Sequence, residues 1–108
     1  MKFIKIFSYI VIFICSLYSK ETLTSGEQVF RAYCWGCHHQ SATAFGPSFK
    51  KIANSRTKDQ MITHIMAPTS NYKELGYKRT VMPSFSNTLS EKEIDLIIDF
   101  INSCKDAK

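Results

Sequence analysis

The sequence predicts an all-α fold with three main helices. Capping boxes, in which Ser or Thr precedes Glu or Gln by three positions, begin at Ser25, Thr57 and Ser90. Each box precedes apolar residues at helical spacing, whereas no segment alternates apolar and polar residues as a half-buried strand does. The length of 108 residues leaves room for one domain with one core.

Residues 1–19 have the pattern of a signal peptide, which leaves residues 20–108 as the folded domain. Lys2 and Lys5 precede an apolar run from Ile6 to Leu17, the usual order of charged and apolar regions in a secretory signal. A retained membrane anchor is the alternative, but this run of 12 residues is shorter than the roughly 20 that a spanning helix needs. We therefore expect an exported, periplasmic protein.

The charge of the exported part is small. Loss of Lys2 and Lys5 with the signal peptide lowers the formal net charge from +5 to +3. A surplus of this size gives no reason to expect nucleic-acid binding. Export also removes Cys15 and leaves three cysteines, at positions 34, 37 and 104, so at least one of them has no partner within the chain.

The three predicted helices differ in length and in their endings. The first begins near Ser25 and leads into Cys34, and the second begins at Thr57 and ends at Pro68. The third ends near Asn102 and has the clearest apolar face, at spacings i, i+3, i+4 and i+7. That face consists of Ile94, Ile97, Ile98 and Ile101. A loop around Gly46-Pro47 and an irregular segment over residues 69–87 separate the helices.

Residues 34–38 read Cys-Trp-Gly-Cys-His, which is the attachment pattern of a c-type haem. Two thiols three residues apart on one helical turn can bond the two vinyl groups of one porphyrin. The imidazole of His38 then reaches the iron from the same side. We therefore predict one haem c, covalently held by Cys34 and Cys37 with His38 as an axial ligand.

Three other interpretations of the two cysteines remain open. A thioredoxin-like redox pair requires a βαβ context, which the residues before Cys34 do not provide. A structural zinc site needs four ligands, and no second pair stands at a normal spacing among His38, His39, His64 and Cys104. A disulfide between Cys34 and Cys37 would close a loop too small to constrain the unfolded chain much.

The second axial position has several candidates. Met82 lies in the irregular segment, where an extended backbone can place a thioether over the far face of a porphyrin, and it is the preferred ligand. Met61 and Met66 lie on the apolar stripe of the second helix, where core packing is the expected role. His64 lies on the same helix, and we expect it to be solvent-facing or hydrogen-bonded. His39 is expected to be exposed.

The order of these features resembles the class I c-type cytochromes over essentially the whole exported part. The resemblance implies a small cytochrome c fold, with three main helices wrapped around one covalently bound haem. It also implies that Gly26 and Phe30 of the first helix pack against Phe100 of the last. The carbonyl of Pro47 would accept a hydrogen bond from His38 Nδ1 and strengthen that ligand.

With His38 and Met82 as ligands, coordination chemistry favours electron transfer over catalysis. A thioether favours ferrous iron and raises the reduction potential, and two filled axial positions leave none for a substrate. We expect a carrier of single electrons between a donor and an acceptor protein. The alternative is a haem subunit of a larger periplasmic oxidoreductase, for example a molybdenum-containing sulfite dehydrogenase. In either case we expect membrane association only through an uncleaved signal or a membrane complex.

Two basic clusters and one cysteine complete the expectations. The clusters, before Met82 and after the haem motif, could steer an acidic partner or be ordinary solvated charge. Cys104 follows the last helix and is expected to be a buried thiol, with a free exposed thiol or an intermolecular disulfide as alternatives. The basic clusters are Lys50, Lys51, Arg56 and Lys58, and Lys73, Lys78 and Arg79.

Overall fold

A computed structural model describes residues 22–108, which form helices and no strand. The predicted signal peptide, residues 1–19, lies outside the described residues, as does Cys15. The prediction of an all-α fold is confirmed. In chain order the helices are α1 (Gly26–Val29), which continues into a π-helical segment (Phe30–Cys34), α2 (Phe49–Ser55), α3 (Lys58–Met66), α4 (Pro68–Asn71) and α5 (Glu91–Ser103).

The predicted capping residues begin three of these helices. Complete capping boxes start α3 at Thr57 and α5 at Ser90. At α1 the Ser25 hydroxyl accepts from the amide of Gln28, but the Gln28 side chain accepts from the amide of Thr24 instead of Ser25. Only half of the first predicted box therefore forms.

Two short helices fall where the sequence predicted a loop or a stop. Ser48 begins α2, because its hydroxyl accepts from the amide of Lys51. Position 51 holds Lys where a capping box has Glu or Gln, so the usual signature is absent. Pro68 does follow the end of α3, but it also begins α4, a position that proline favours because its missing N–H costs no hydrogen bond there.

The two ends of the described chain pack against each other. A Cβ added to Gly26 would lie 2.6 Å from Phe100 Cβ and would also meet the Leu96 carbonyl, so α1 approaches α5 at backbone distance. The Phe30 and Phe100 rings stack with centroids 5.2 Å apart, and Phe49 lies 5.1 Å from Phe30. The predicted packing of Gly26 and Phe30 against Phe100 is confirmed.

The predicted apolar face of α5 is buried as a whole. Ile97 and Ile98 are each 1% exposed, and burial of a side chain of this size stabilises the fold by about 1.5–3 kcal/mol. Cys104 is buried, and its Sγ donates to the carbonyl of Phe100 at 3.4 Å, so the expected buried thiol is confirmed. Among residues 22–108, no helix combines the length and apolar character that crossing a membrane requires.

Candidate haem site

The π-helical segment sets the position of Cys34 and Cys37. The amide of Trp35 donates to the carbonyl of Phe30, the widened bond of a π turn, which is frequent at functional sites. The amides of Cys37 and His38 then both donate to the carbonyl of Cys34, at 3.1 and 2.9 Å. This turn keeps residues 34–38 together, with Cys34 half-buried and Cys37 exposed.

The chemistry of Cys34 argues against a redox-active thiol pair. Burial, with a smaller contribution from neighbouring Cys37, raises the pKa of the Cys34 thiol to about 11. Reactive cysteines of thioredoxin-like motifs instead have lowered pKa values. A zinc site has no support either, because residues 22–108 bring together no three His, Cys, Asp or Glu side chains that could hold a metal ion.

His38 is held in the tautomer that an iron ligand needs. Its Nδ1 lies 2.8 Å from the carbonyl oxygen of Pro47. A carbonyl can only accept, so Nδ1 carries the proton and Nε2 keeps its lone pair. The structure therefore contains the His38–Pro47 contact that the resemblance implied.

Burial and a second imidazole favour the neutral form of His38. Burial lowers its pKa, the hydrogen bond to Pro47 partly opposes this, and the charge of His64 lowers it further. The His38 ring also lies against the backbone of Gly46, where an added Cβ would be 2.5 Å from His38 Cε1. Gly46 is required because any side chain there would displace the ring.

An apolar cavity opens in front of His38. The space between its walls, including the part open to solvent, is about 580 Å³. It is lined by Cys34 of the attachment motif and by Met82, which lies far from Cys34 in the sequence. Its other walls are mostly apolar and come from α2, α3, α5 and the irregular segment: Pro47, Phe49, Ile52, Met61, Ile65, Leu75, Ile97 and Ile101.

Two hydrogen bonds fix the segment that follows Met82. The amide of Phe85 donates to the carbonyl of Ile65 at 2.9 Å, and the hydroxyl of Ser84 donates to the carbonyl of Met66. Both acceptors lie at the end of α3. The segment is thereby tied to α3, and the half-buried Met82 side chain faces the cavity.

The structure separates the other candidate ligands. Met61 is 4% exposed and packs in the core as expected, whereas Met66 is 39% exposed, so its expected core role is wrong. The buried stripe of α3 is shorter than the sequence suggested, because it ends before Met66, the last residue of the helix. His64 lines the cavity, and its Nδ1 contacts Asn71, so the expectation of a hydrogen-bonded side chain is confirmed. His39 is exposed, also as expected.

Sequence reasoning missed two polar residues of the cavity wall. An Arg56 Nη atom donates to the carbonyl of Leu75 and to the hydroxyl of Tyr77, both at 3.1 Å. Arg56 also lies over the Tyr77 ring, 5.5 Å from its centroid. Neither residue stands in a recognisable motif, since the chain segments that hold them meet only in the fold. Together they place a cation and a hydroxyl beside apolar walls.

The amphipathic character of haem fits this lining. An apolar porphyrin face needs the aliphatic and aromatic walls, and its two carboxylates need polar or cationic neighbours such as Arg56 and Tyr77. The Cys34 thiol, the oriented imidazole of His38 and the Met82 thioether line this cavity, and the Cys37 thiol lines an adjacent pocket. The residues present thus suit a covalently held haem.

The family comparison agrees with this geometry. The profile described as "Cytochrome C oxidase, cbb3-type, subunit III" matches residues 21–101. The chain therefore belongs to this family, and it is a class I c-type cytochrome. Membership implies covalently bound haem c and an electron-carrying role.

Two relatives show how far the similarity reaches. The chain is 30% identical over 81 residues to part of a nicotinate dehydrogenase subunit of Pseudomonas putida, which covers 68% of this chain and only 6% of that protein. It is 27% identical over 79 residues to cytochrome c6 of Gracilaria tenuistipitata var. liui, which covers 73% of this chain and 69% of the relative. No solved structure gives a significant match.

Proposed function

We propose that this protein is an exported, periplasmic carrier of single electrons with one haem c. In this proposal Cys34 and Cys37 form the thioether bonds, and His38 and Met82 are the axial ligands. One observation carries it: the His38 imidazole, with Nδ1 bonded to Pro47, lines the same apolar cavity as Met82. When bound there, haem c would supply an iron that gains and loses one electron.

The residues of the cavity favour electron transfer over catalysis. His38 presents a neutral imidazole, and Met82 presents a soft sulfur that favours ferrous iron. Apolar walls would limit the access of water to a bound iron, and the hydrogen bonds after Met82 hold its segment in place. Such a rigid shell allows both oxidation states to keep the same ligands.

Beside the cavity lies a second opening with apolar edges, a pocket that shares Cys34, His38 and Met82 with it. Phe45 and Val81 are 92% and 84% exposed, and both line this opening together with Cys37 and Pro83. Arg79 adds a positive charge there. This surface supports docking of a redox partner close to the haem edge.

A second candidate function is a haem subunit of a larger oxidoreductase. The similarity to a small part of the nicotinate dehydrogenase subunit favours it, because in that relative the matching part belongs to a dehydrogenase subunit. The exposed Phe45 and Val81 would suit a permanent interface as well. The predicted signal peptide, with Lys2 and Lys5 before its apolar run, supports the periplasmic location in either case.

Visible spectroscopy of the holoprotein tests the haem and its ligands. We expect haem that resists acid-acetone extraction, a sharp reduced α band, and the weak far-red band of a sulfur–ferric iron bond. Met82→Ala should lose the far-red band. Met66→Ala is the matched control, because Met66 is 39% exposed and lies away from the cavity lining, and it should keep the band. Colour that extracts, or a band that survives Met82→Ala, would contradict the assignment.

Native gel electrophoresis of a periplasmic extract separates the carrier from the subunit. Haem staining at the mass of the single chain supports a carrier. Haem staining at high mass, reduced to the single chain only after denaturation, supports the subunit. Staining confined to the cytoplasmic fraction would contradict the proposed location.

A further inference from the structure

We propose that His64 is a reserve ligand of the haem iron, which takes the sixth position when the Met82 sulfur leaves it. The inference rests on the proposed function, because it requires haem held by Cys34, Cys37 and His38. The exchange breaks the iron–sulfur bond and forms a bond from His64 Nε2. Starting from the neutral imidazole, the exchange moves no electron and no proton.

Hydrogen bonds determine which nitrogen of His64 is available. The buried Asn71 side chain contacts Gln60 through Nδ2, which donates to the backbone carbonyl at 3.1 Å. The Asn71 amide is thereby oriented with Oδ1 towards His64, 2.8 Å from Nδ1. Since Oδ1 can only accept, His64 Nδ1 carries the proton. Nε2 of the neutral ring keeps its lone pair, which is the form that binds metals.

This arrangement repeats that of the proximal ligand. His38 has Nδ1 bonded to a carbonyl oxygen at 2.8 Å, and His64 has Nδ1 bonded to an amide oxygen at the same distance. Both rings line the apolar cavity. Nε2 of His64 has no hydrogen-bond partner among residues 22–108, so binding to the iron would break no other bond of the protein.

The position of His64 also brings it close to the Met82 segment. His64 lines both the cavity and the adjacent opening, as Met82 does. The two residues after His64 accept the hydrogen bonds from Phe85 and Ser84 that hold this segment. Departure of the thioether would thus leave an imidazole beside the exposed iron position. Imidazole binds haem iron well, so a low-spin centre with two nitrogen ligands would follow.

The remaining histidine provides a control. His39 is exposed, and its Nδ1 accepts from the amides of Ser41 and Ala42 in the loop. His39 lines neither the cavity that holds Met82 nor the adjacent opening. If chain flexibility alone allowed a histidine to bind the iron, His39 would bind as well. A reserve site built into the fold would use only His64.

The test compares ferric holoproteins at neutral pH by visible and electron paramagnetic resonance spectroscopy. Met82→Ala should be low-spin with two nitrogen ligands and without the sulfur band. Met82→Ala/His64→Ala should lose this signal and become high-spin, whereas Met82→Ala/His39→Ala should keep it. His64→Ala alone should keep the sulfur band of the wild type. Met82→Leu replaces Met82→Ala if the smaller side chain prevents folding, because leucine nearly conserves the volume.

Each outcome decides the inference. A high-spin Met82→Ala protein overturns it, and so does a low-spin signal that survives removal of His64. Wild-type protein that lacks covalent haem or the sulfur band contradicts the proposed function instead. Loss of the sixth ligand in His64→Ala alone would make His64 the native ligand and would overturn both.

Discussion

Replacement of Gly26 by Ala tests the contact between the two ends of the chain. In an open helix Ala is better than Gly by about 1 kcal/mol, so propensity alone predicts a gain in stability. The structure predicts a loss, because the new Cβ would lie 2.6 Å from Phe100 Cβ and would meet the Leu96 carbonyl, a backbone atom. Overpacking costs about 1–3 kcal/mol, and a clash with a backbone atom, which cannot rotate away, belongs to the upper part of that range, about 2–3 kcal/mol. The net expectation is a destabilisation of about 1–2 kcal/mol.

Thermal unfolding of the ferric holoprotein, followed by far-ultraviolet circular dichroism, measures this effect. For a domain of this size each kcal/mol lowers Tm by about 4–8 °C, so Gly26→Ala should lower it by about 5–15 °C. Gly36→Ala is the matched control, since a Cβ at Gly36 meets nothing within 4 Å, and its Tm should stay close to that of the wild type. If Gly26→Ala is as stable as Gly36→Ala, α1 does not approach α5 at backbone distance and the described packing is wrong.

Two further predictions concern the proximal histidine and the C-terminal cysteine. Gly46→Ala should tilt the His38 ring and weaken its bond to Pro47. Acidification should therefore abolish the low-spin spectrum at a pH about 1–2 units higher than in wild type. An unchanged acid midpoint, as expected for Gly36→Ala, would contradict this role. Burial raises the pKa of the Cys104 thiol above its usual 9.0. As the pH rises, this thiol therefore loses its proton in the unfolded state before it does so in the folded state. The free energy of unfolding should therefore fall above pH 9.0 more steeply in wild type than in Cys104→Ala, and parallel profiles would refute the cause.

Helices with strong local signals could be predicted from the sequence, whereas those set by tertiary contacts could not. The α5 helix has a complete capping box and an apolar face, and both are present in the fold. The α2 helix has only the hydroxyl of Ser48 as a start signal, and Phe49 is buried by contacts with distant aromatic rings. The periodicity of the sequence cannot predict such tertiary contacts.

The candidate site divides in the same way. The positions of Cys34, Cys37 and His38 follow from a local motif, so their proximity could be predicted. Arg56 and Asn71 could not be recognised, because their partners lie 7 to 21 residues away in the chain and outside any motif. Met66 shows the opposite error. Helical spacing places it on the apolar face of α3, but spacing alone cannot show that the surrounding residues leave this side chain exposed.

The packing of α1 against α5 also determines when this fold can be completed. A chain that is synthesised or transported from its N-terminus presents residues 34–38 long before α5 is available. Until that helix arrives, Gly26 and Phe30 lack their partner and the cavity lacks the wall formed by Ile97 and Ile101. Contacts this distant in sequence also form slowly. The architecture therefore leaves an interval in which an attachment enzyme can reach both thiols on an open chain, before the last helix completes the cavity wall.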